Sequence, residues 1–508
     1  MTTTEQQTRA AQPADAPRVY GHHIGGRELQ PAEDLIHRRA PGTGEVVASW
    51  SAGTAADTEM AIAAARAAFD AGTWSGLPGV ERGRILLRVA ELMRADADRL
   101  ARIEADESGK PLVLAAGDVA GSIDLFEYAA AVTMTSTGEA HTNLGEDFTA
   151  WVVREPAGVV AMIIPWNFPL LLLAQKLPFA LGAGCTAVVK PSEFTSGTAL
   201  ELMRILREAG VPDGVVNVVT GTGPATGQIL AESQDVDLLS FTGSTATGQA
   251  ITAASAGSIK RLSLELGGKA ASIVFADADL DDALDGVLFG VFFNQGECCV
   301  SGARLLVQES IADDFVAKLV SATQRIVVGA PLTPGSELGA MISPEHLQTV
   351  LGHIQRAEEQ GARVVAGGHR LTTGELAAGD FVAPTIIDGV APDHAAFREE
   401  IFGPVLTVTR FRDLPEAVDL ANATPYGLAG SVWTKDIDKA LDTARQVRVG
   451  RMWINTTIDG APSLPAGGMK QSGYGREMGR AGFDEFTEIK TVQVRTGPRS
   501  RVFGGWTA

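Results

Sequence analysis

Cysteine is nearly missing from this chain: three residues, Cys185, Cys298 and Cys299, in 508. That is too few for a disulfide framework and suits a reducing compartment. The 8 histidines are scattered, and none stands near Cys298 or Cys299 in sequence. No local metal-ligand spacing exists, so no residue is assigned to a metal and a zinc site is not expected. No apolar run reaches the ~18 residues that a membrane helix needs. The stretch from Met1 to Arg18 is polar and Ala/Pro-rich without an apolar centre, and reads as a disordered tail, not a signal peptide. These absences point to a cytoplasmic protein. Positive charge is in deficit as well, 42 Lys and Arg against 61 Asp and Glu, for a formal charge of -19. Such a surface disfavours non-specific attraction to nucleic acid or anionic membrane.

What is present is an α/β chain long enough for two or three domains. Early segments repeat at helical spacing: Met60, Ala61, Ala64, Ala65 and Ala68, then Ile85, Val89, Leu92 and Met93. From Val159 the rhythm changes to short apolar runs, Val159–Ile164, Ala187–Lys190, Val215–Val219 and Val236–Phe241, separated by helix-length pieces such as Thr198–Ala209. β-branched runs alternating with helices predict a doubly wound parallel sheet. A second series follows Gly267, with strands at Ser272–Phe275, Arg304–Val307, Pro404–Phe411 and Ser431–Trp433 and a helix at Ile311–Ile326. Two further strand-like pieces, Phe148–Arg154 and Ile489–Arg495, lack an obvious partner nearby and read as an arm extended by another element or subunit.

Several short motifs carry chemistry. Lys190-Pro191-Ser192-Glu193 follows a predicted strand, where parallel sheets present ligand loops. A Lys and a Glu there can bond ribose hydroxyls, and Glu193 would repel a 2′-phosphate. In isolation the tetrapeptide is equally a solvated loop. Phe241-Thr242-Gly243-Ser244 closes the next strand and opens a helix, whose free N–H groups favour an anion; alone it is also an ordinary N-capped helix. Glu265 sits in Leu264-Glu265-Leu266-Gly267-Gly268-Lys269, with apolar flanks that argue for partial burial and a raised pKa. Cys299 closes Gly296-Glu297-Cys298-Cys299, a soft nucleophile that needs a local device to become thiolate. Asn167 lies in Pro165-Trp166-Asn167-Phe168-Pro169, where it is either a turn residue or an amide able to steady an oxyanion.

In this order, these motifs resemble the NAD(P)-dependent aldehyde dehydrogenase superfamily of the non-acylating, hydrolytic type, over roughly Val19 to Arg495. The resemblance implies a Rossmann-like NAD-binding domain (19–138 and 157–264), an α/β catalytic domain (265–480) and a small β oligomerisation arm (139–156 and 481–500) that crosses subunits of a homodimer or homotetramer. It makes Cys299 the nucleophile toward an aldehyde, Asn167 and the Cys299 amide the oxyanion hole, and Glu265 the base that activates water to hydrolyse a thioester. Lys176 and Glu477 are assigned as a proton-relay pair. Trp166, Lys190, Ser192, Glu193, Gly243, Ser244, Glu400 and Phe402 are the cofactor-contacting positions, and Glu193 favours NAD over NADP.

Two departures stand out: Glu297 where Gln is commoner, whose carboxylate would raise the thiol pKa if both faced one pocket, and Ser301 in place of a smaller residue. At the substrate channel, Gln175, Gly460 and Ala466 replace the aromatics of relatives acting on small aldehydes, which implies a wider mouth and a bulky, long or polar aldehyde. Two alternatives remain. A CoA-acylating semialdehyde dehydrogenase generally lacks the base carboxylate, and a nicotinamide-independent cysteine hydrolase leaves both nucleotide-type loops without a purpose.

Overall fold

The computed structural model describes residues 17–498. Most of the assigned tail, residues 1–16, lies outside them, as do residues 499–508 at the end of the predicted arm. Arg18 belongs to the folded domain instead: strand Arg18–Tyr20 pairs in parallel with Val46–Ser51. Its guanidinium lies 3.4 Å from the buried carboxylate of Glu107, which ties the chain down there.

Two large sheets organise the molecule. The first runs Gly473–Tyr474, Arg261–Glu265, Leu238–Thr242, Val159–Ile163, Thr186–Lys190, Val216–Val218, His23–Ile24, Arg27–Glu28. Its five central strands are parallel, and the strands added at either edge are antiparallel. The second runs Arg363–Ala366, Thr385–Asp388, Val405–Phe411, Arg304–Gln308, Ala271–Val274, Ala429–Trp433, Arg451–Ile454. Both are covered on two faces, which is why their strands read as continuous apolar runs. Val160 and Met162 enter one core while Val159, Ala161 and Ile163 enter the other. In the second sheet Ile273 and Leu306 face one side, and Val274, Leu305 and Val307 the opposite one.

The two strand-like pieces, expected to be extended by another element or subunit, pair with each other, Phe148–Pro156 against Thr487–Arg495, with Glu139–His141 added on the far side. Sequence separation hid the pairing. Glu265, assigned to the second domain, is the last residue of the outermost parallel strand of the first sheet. Gly473–Tyr474, from a segment also assigned to the second domain, completes that edge by pairing Gly473 with Glu265. Finally, Thr385–Asp388, Arg363–Ala366 and Arg451–Ile454 are sheet members that the apolar pattern did not single out.

Candidate active site

The site forms where loops from the carboxyl ends of the first sheet's parallel strands meet loops that lead into the amino ends of the second sheet's strands. Helix Leu280–Phe292 ends in a turn in which Asn294 (φ 52°), Gln295 (φ 57°) and Gly296 (φ 70°) are all left-handed. Left-handed backbone is strained for residues with a Cβ. Asn294 offsets part of that cost by donating from Nδ2 to the carbonyls of Asn167 (3.1 Å) and Glu297 (3.0 Å). Gly296 has a harder constraint, since a Cβ there would stand 2.1 Å from the Gly403 carbonyl oxygen. Gly296→Ala is therefore expected to cost about 2–4 kcal/mol, read as a fall in Tm together with lost activity, because the same turn delivers Cys299.

Cys299 is partly exposed and opens onto two cavities. One, of about 400 Å³, is lined by Glu265, Glu477, Gln175, Arg451, Gly460, Ala466 and apolar side chains including Phe168, Phe293 and Trp453. The other, of about 240 Å³, is lined by Trp166, Asn167, Gly243, Ser244, Glu400, Phe402 and His346. The sulfur is thus common to two chambers. Hydrogen bonding to the Cys298 side chain, burial, and the nearby carboxylates of Glu400 and Glu265 hold the thiol well above its ordinary range. With the thiol held up, its proton has to be handed on as the sulfur attacks.

Glu265 is placed to deal in protons. It is buried, and its Oε1 has no hydrogen-bond partner. Burial raises its pKa to about 7, against the pull of Lys176, Arg476 and Arg451. A Cβ on Gly467 would lie 2.8 Å from Oε1, so the glycine there keeps the carboxylate approachable. Lys176 and Glu477 form a buried ion pair beside it. Burial lowers Lys176 to about 7, with Glu265 opposing that shift.

Asn167 is buried at the end of the loop that leaves strand Val159–Ile163, and its Nδ2 donates to the Glu297 carbonyl at 3.0 Å. That leaves one N–H of the amide. The backbone N–H of Cys299 is not taken by any carbonyl among the described residues. Glu297 turns away from the thiol: its Oε1 accepts from the Ile342 N–H at 2.9 Å and lies 3.8 Å from His346 Nε2. Burial raises its pKa well above the ordinary carboxylate value. Ser301 is likewise buried outside both linings.

On the other side, Ser244 caps helix Thr245–Ser255 by accepting from the Thr247 N–H, and Gly243 donates its N–H to the Glu265 carbonyl at 3.0 Å. Glu400 accepts from the Gly268 N–H at 2.8 Å, and a Cβ on Gly267 would meet it at 2.2 Å. Burial lifts its pKa to about 7. Lys190, Ser192 and Glu193 stand at the carboxyl end of the neighbouring strand, outside the lining of this cavity. There Lys190 Nζ turns back to the Pro191 carbonyl (3.0 Å) and to Glu193 (3.7 Å).

Sequence reasoning missed several wall residues. His346, whose ring packs edge-on to Trp166 at 5.5 Å and whose Nε2 meets the Phe402 carbonyl at 2.7 Å, carries no local motif. Arg451 and Trp453 alternate on a strand that had not been recognised. Phe168, Phe293 and Trp453 also show that the large cavity keeps aromatic walls, despite the small residues at Gly460 and Ala466.

With this geometry in hand, the model of the Aldehyde dehydrogenase family matches residues 29–492. Betaine aldehyde dehydrogenase of Bacillus subtilis is 44% identical over 89% of this chain and 93% of its own. Aldehyde dehydrogenase 1A1 of Mesocricetus auratus is 42% identical over 90% of each chain. Among solved structures, an NAD-dependent aldehyde dehydrogenase from Sinorhizobium meliloti superposes with a TM-score of 0.94 at 47% identity, covering 96% of both chains. Betaine aldehyde dehydrogenase from Staphylococcus aureus, in complex with NAD+, gives 0.93 at 36% identity and 96% coverage of both.

Proposed function

The chain belongs to the aldehyde dehydrogenase family, and from that premise we propose that it oxidises an aldehyde to a carboxylic acid with NAD, through a thioester on Cys299 that Glu265-activated water hydrolyses. The observation that carries this reading is the sulfur shared by two cavities, with Asn167 on one wall and the unpartnered carboxylate oxygen of Glu265 on the other.

The smaller cavity fits a dinucleotide. Ser244 and Gly243 stand at a helix start where N–H groups favour phosphate, Glu400 offers a carboxylate to ribose hydroxyls, and Trp166 and Phe402 supply apolar walls. Lys190, Ser192 and Glu193, at the next strand end, serve the far ribose, where the charge of Glu193 disfavours a 2′-phosphate. When bound, NAD supplies the hydride acceptor that lets the Cys299 thiohemiacetal become a thioester.

The chain's own groups do the rest. The Cys299 thiol passes its proton to Glu265, which hands it on through the Lys176–Glu477 pair and returns to carboxylate, and the sulfur attacks the aldehyde carbon. The free N–H of Asn167 and the amide of Cys299 steady the developing oxyanion. Glu265 later deprotonates the water that cleaves the thioester, and the Lys176–Glu477 pair, with Lys176 near 7, relays that proton outward. Because the carboxylate is the working form of a group near 7, kcat is expected to fall about tenfold per pH unit below that value. A flat steady-state profile through neutrality would remove Glu265 from the rate-limiting proton transfer.

A CoA-acylating course is disfavoured because Glu265 is present, buried and aimed into the thiol's cavity. A cysteine hydrolase is disfavoured because His346, the histidine nearest the thiol's walls, spends its Nε2 on the Phe402 carbonyl. The arm supports assembly into a dimer or tetramer: its outer strand leaves Ile489 63% exposed on an open edge. Assays of an aldehyde panel with NAD and NADP, each with and without CoA, test the whole reading by NADH absorbance. Oxidation that requires CoA, or none with either cofactor, overturns it.

A further inference from the structure

Resting on that reading, we propose that the substrate carries a carboxylate at the end remote from its aldehyde, held by the guanidinium of Arg451. Arg451 opens the edge strand Arg451–Ile454, where alternation turns Met452 and Ile454 onto the core of the second sheet. The same alternation sets Arg451 and Trp453 together on the wall of the 400 Å³ cavity, the guanidinium carbon 5.7 Å from the Trp453 ring centre. Arg451 is the only Lys, Arg or His among the described residues that line that cavity, whose wall also carries the carboxyl groups of Asp124, Glu265 and Glu477. It is close enough to the reacting groups for the charges of Cys299 and Glu265 to act on it.

A guanidinium has five N–H donors in a planar fork that matches a carboxylate. The other arginines of this region have committed theirs. Arg304 donates to the carbonyls of Lys269, Leu420 and Ala421. Arg476 donates to those of Gly468 and Gly475, and Arg38 to those of Glu107 and Ile342. Arg451 makes one bond, from Nη2 to the Pro465 carbonyl at 3.5 Å. It joins no ion pair among the described residues. Glu265 acts on it only from beyond ion-pair distance, so most of the guanidinium's N–H donors remain for an anionic ligand.

Gly460 provides an independent observation. A Cβ at that position would come 3.4 Å from Arg451 Nη1, so the missing side chain is what leaves that edge of the fork open to the cavity. An aldehyde bound with its carbonyl at Cys299 then lays its chain along Phe168, Leu172 and Phe293 and its carboxylate against Nη1. A trimethylammonium group in the same place would meet like charge.

The test compares ω-carboxyaldehydes, unbranched alkanals of equal length, and betaine aldehyde, on the intact enzyme with NAD. The carboxyaldehyde of best length is expected to lead its alkanal by about 30-fold in kcat/KM, chiefly through KM, with betaine aldehyde poorest. Arg451→Gln is expected to erase that lead, Arg451→Lys to keep part of it, and Gly460→Phe, which covers Nη1, to reduce it without touching the arginine. A straight-chain dicarboxylate such as adipate should protect Cys299 from iodoacetamide in the parent enzyme and not in Arg451→Gln.

Equal loss for carboxyaldehyde and alkanal in Arg451→Gln would reassign the arginine to tuning Cys299 and Glu265 and overturn the proposal. So would a preference for betaine aldehyde. Failure of every aldehyde to yield NADH, with Arg451-dependent protection by adipate intact, would overturn the oxidation reading and leave the anion site standing.

Discussion

Cys299→Ala is expected to lose turnover by on the order of 10⁴-fold or more, while NAD, titrated by quenching of tryptophan fluorescence, still binds within about threefold of the parent affinity. The size follows from the role. Without sulfur there is no covalent adduct to divide oxidation from hydrolysis, and the remaining groups cannot replace it. The selectivity follows from the geometry: Cys299 is one of twelve residues lining the smaller cavity, so loss of one thiol leaves it nearly whole. Cys298, buried and in the wall of the larger cavity, is the comparison: Cys298→Ala should retain turnover, and by removing the bond that holds the Cys299 thiol up it should move that thiol's pKa down. An alanine variant at position 299 with near-parental activity would refute the assignment of nucleophile.

Glu265→Gln should separate the two halves of the reaction. Mixing with aldehyde and NAD is expected to give one equivalent of NADH per site in a burst slower than the parent's, because the thiol has lost its proton acceptor, followed by a still slower steady rate about 10²–10³-fold below the parent. The acyl group should then be visible on Cys299 by mass spectrometry of the intact protein, and hydroxylamine should discharge it. Glutamine preserves the volume beside Gly467 and removes only the ionisable oxygen, whose pKa near 7 sets the acid limb of the parent. That limb should vanish in the variant. No burst, with both phases slowed equally, would show that Glu265 acts before acyl transfer alone; an unchanged steady rate would show that it is not the base.

Much of this arrangement was legible in the primary structure because two-sided burial leaves a strong signature. Val159–Ile163, Thr186–Lys190 and Leu238–Thr242 stand out as β-branched runs, and the glycines of the 267–268 and 296 turns mark places where another chain segment comes too close for a Cβ. The rest depends on contacts between residues far apart in sequence. The arm strands read as unpaired because their partner is each other, across most of the chain. Glu297 could not be judged until Ile342 was seen to take its carboxylate. Arg451 was invisible as a functional group because its strand is short and its strand neighbours Met452 and Ile454 are only partly buried.

One pairing described above has a temporal side. The strand that bears Glu265 is completed by Gly473–Tyr474, and Glu477 follows just behind. Chains are made from the amino end, and domains condense as they emerge from the ribosome. A nascent polypeptide that already holds its thiol, its amide and its dinucleotide cradle still lacks the segment that clamps the base, so catalytic competence waits until residues 473–477 have been made. Fragments released early would carry a reactive cysteine with no means of discharging what it captures.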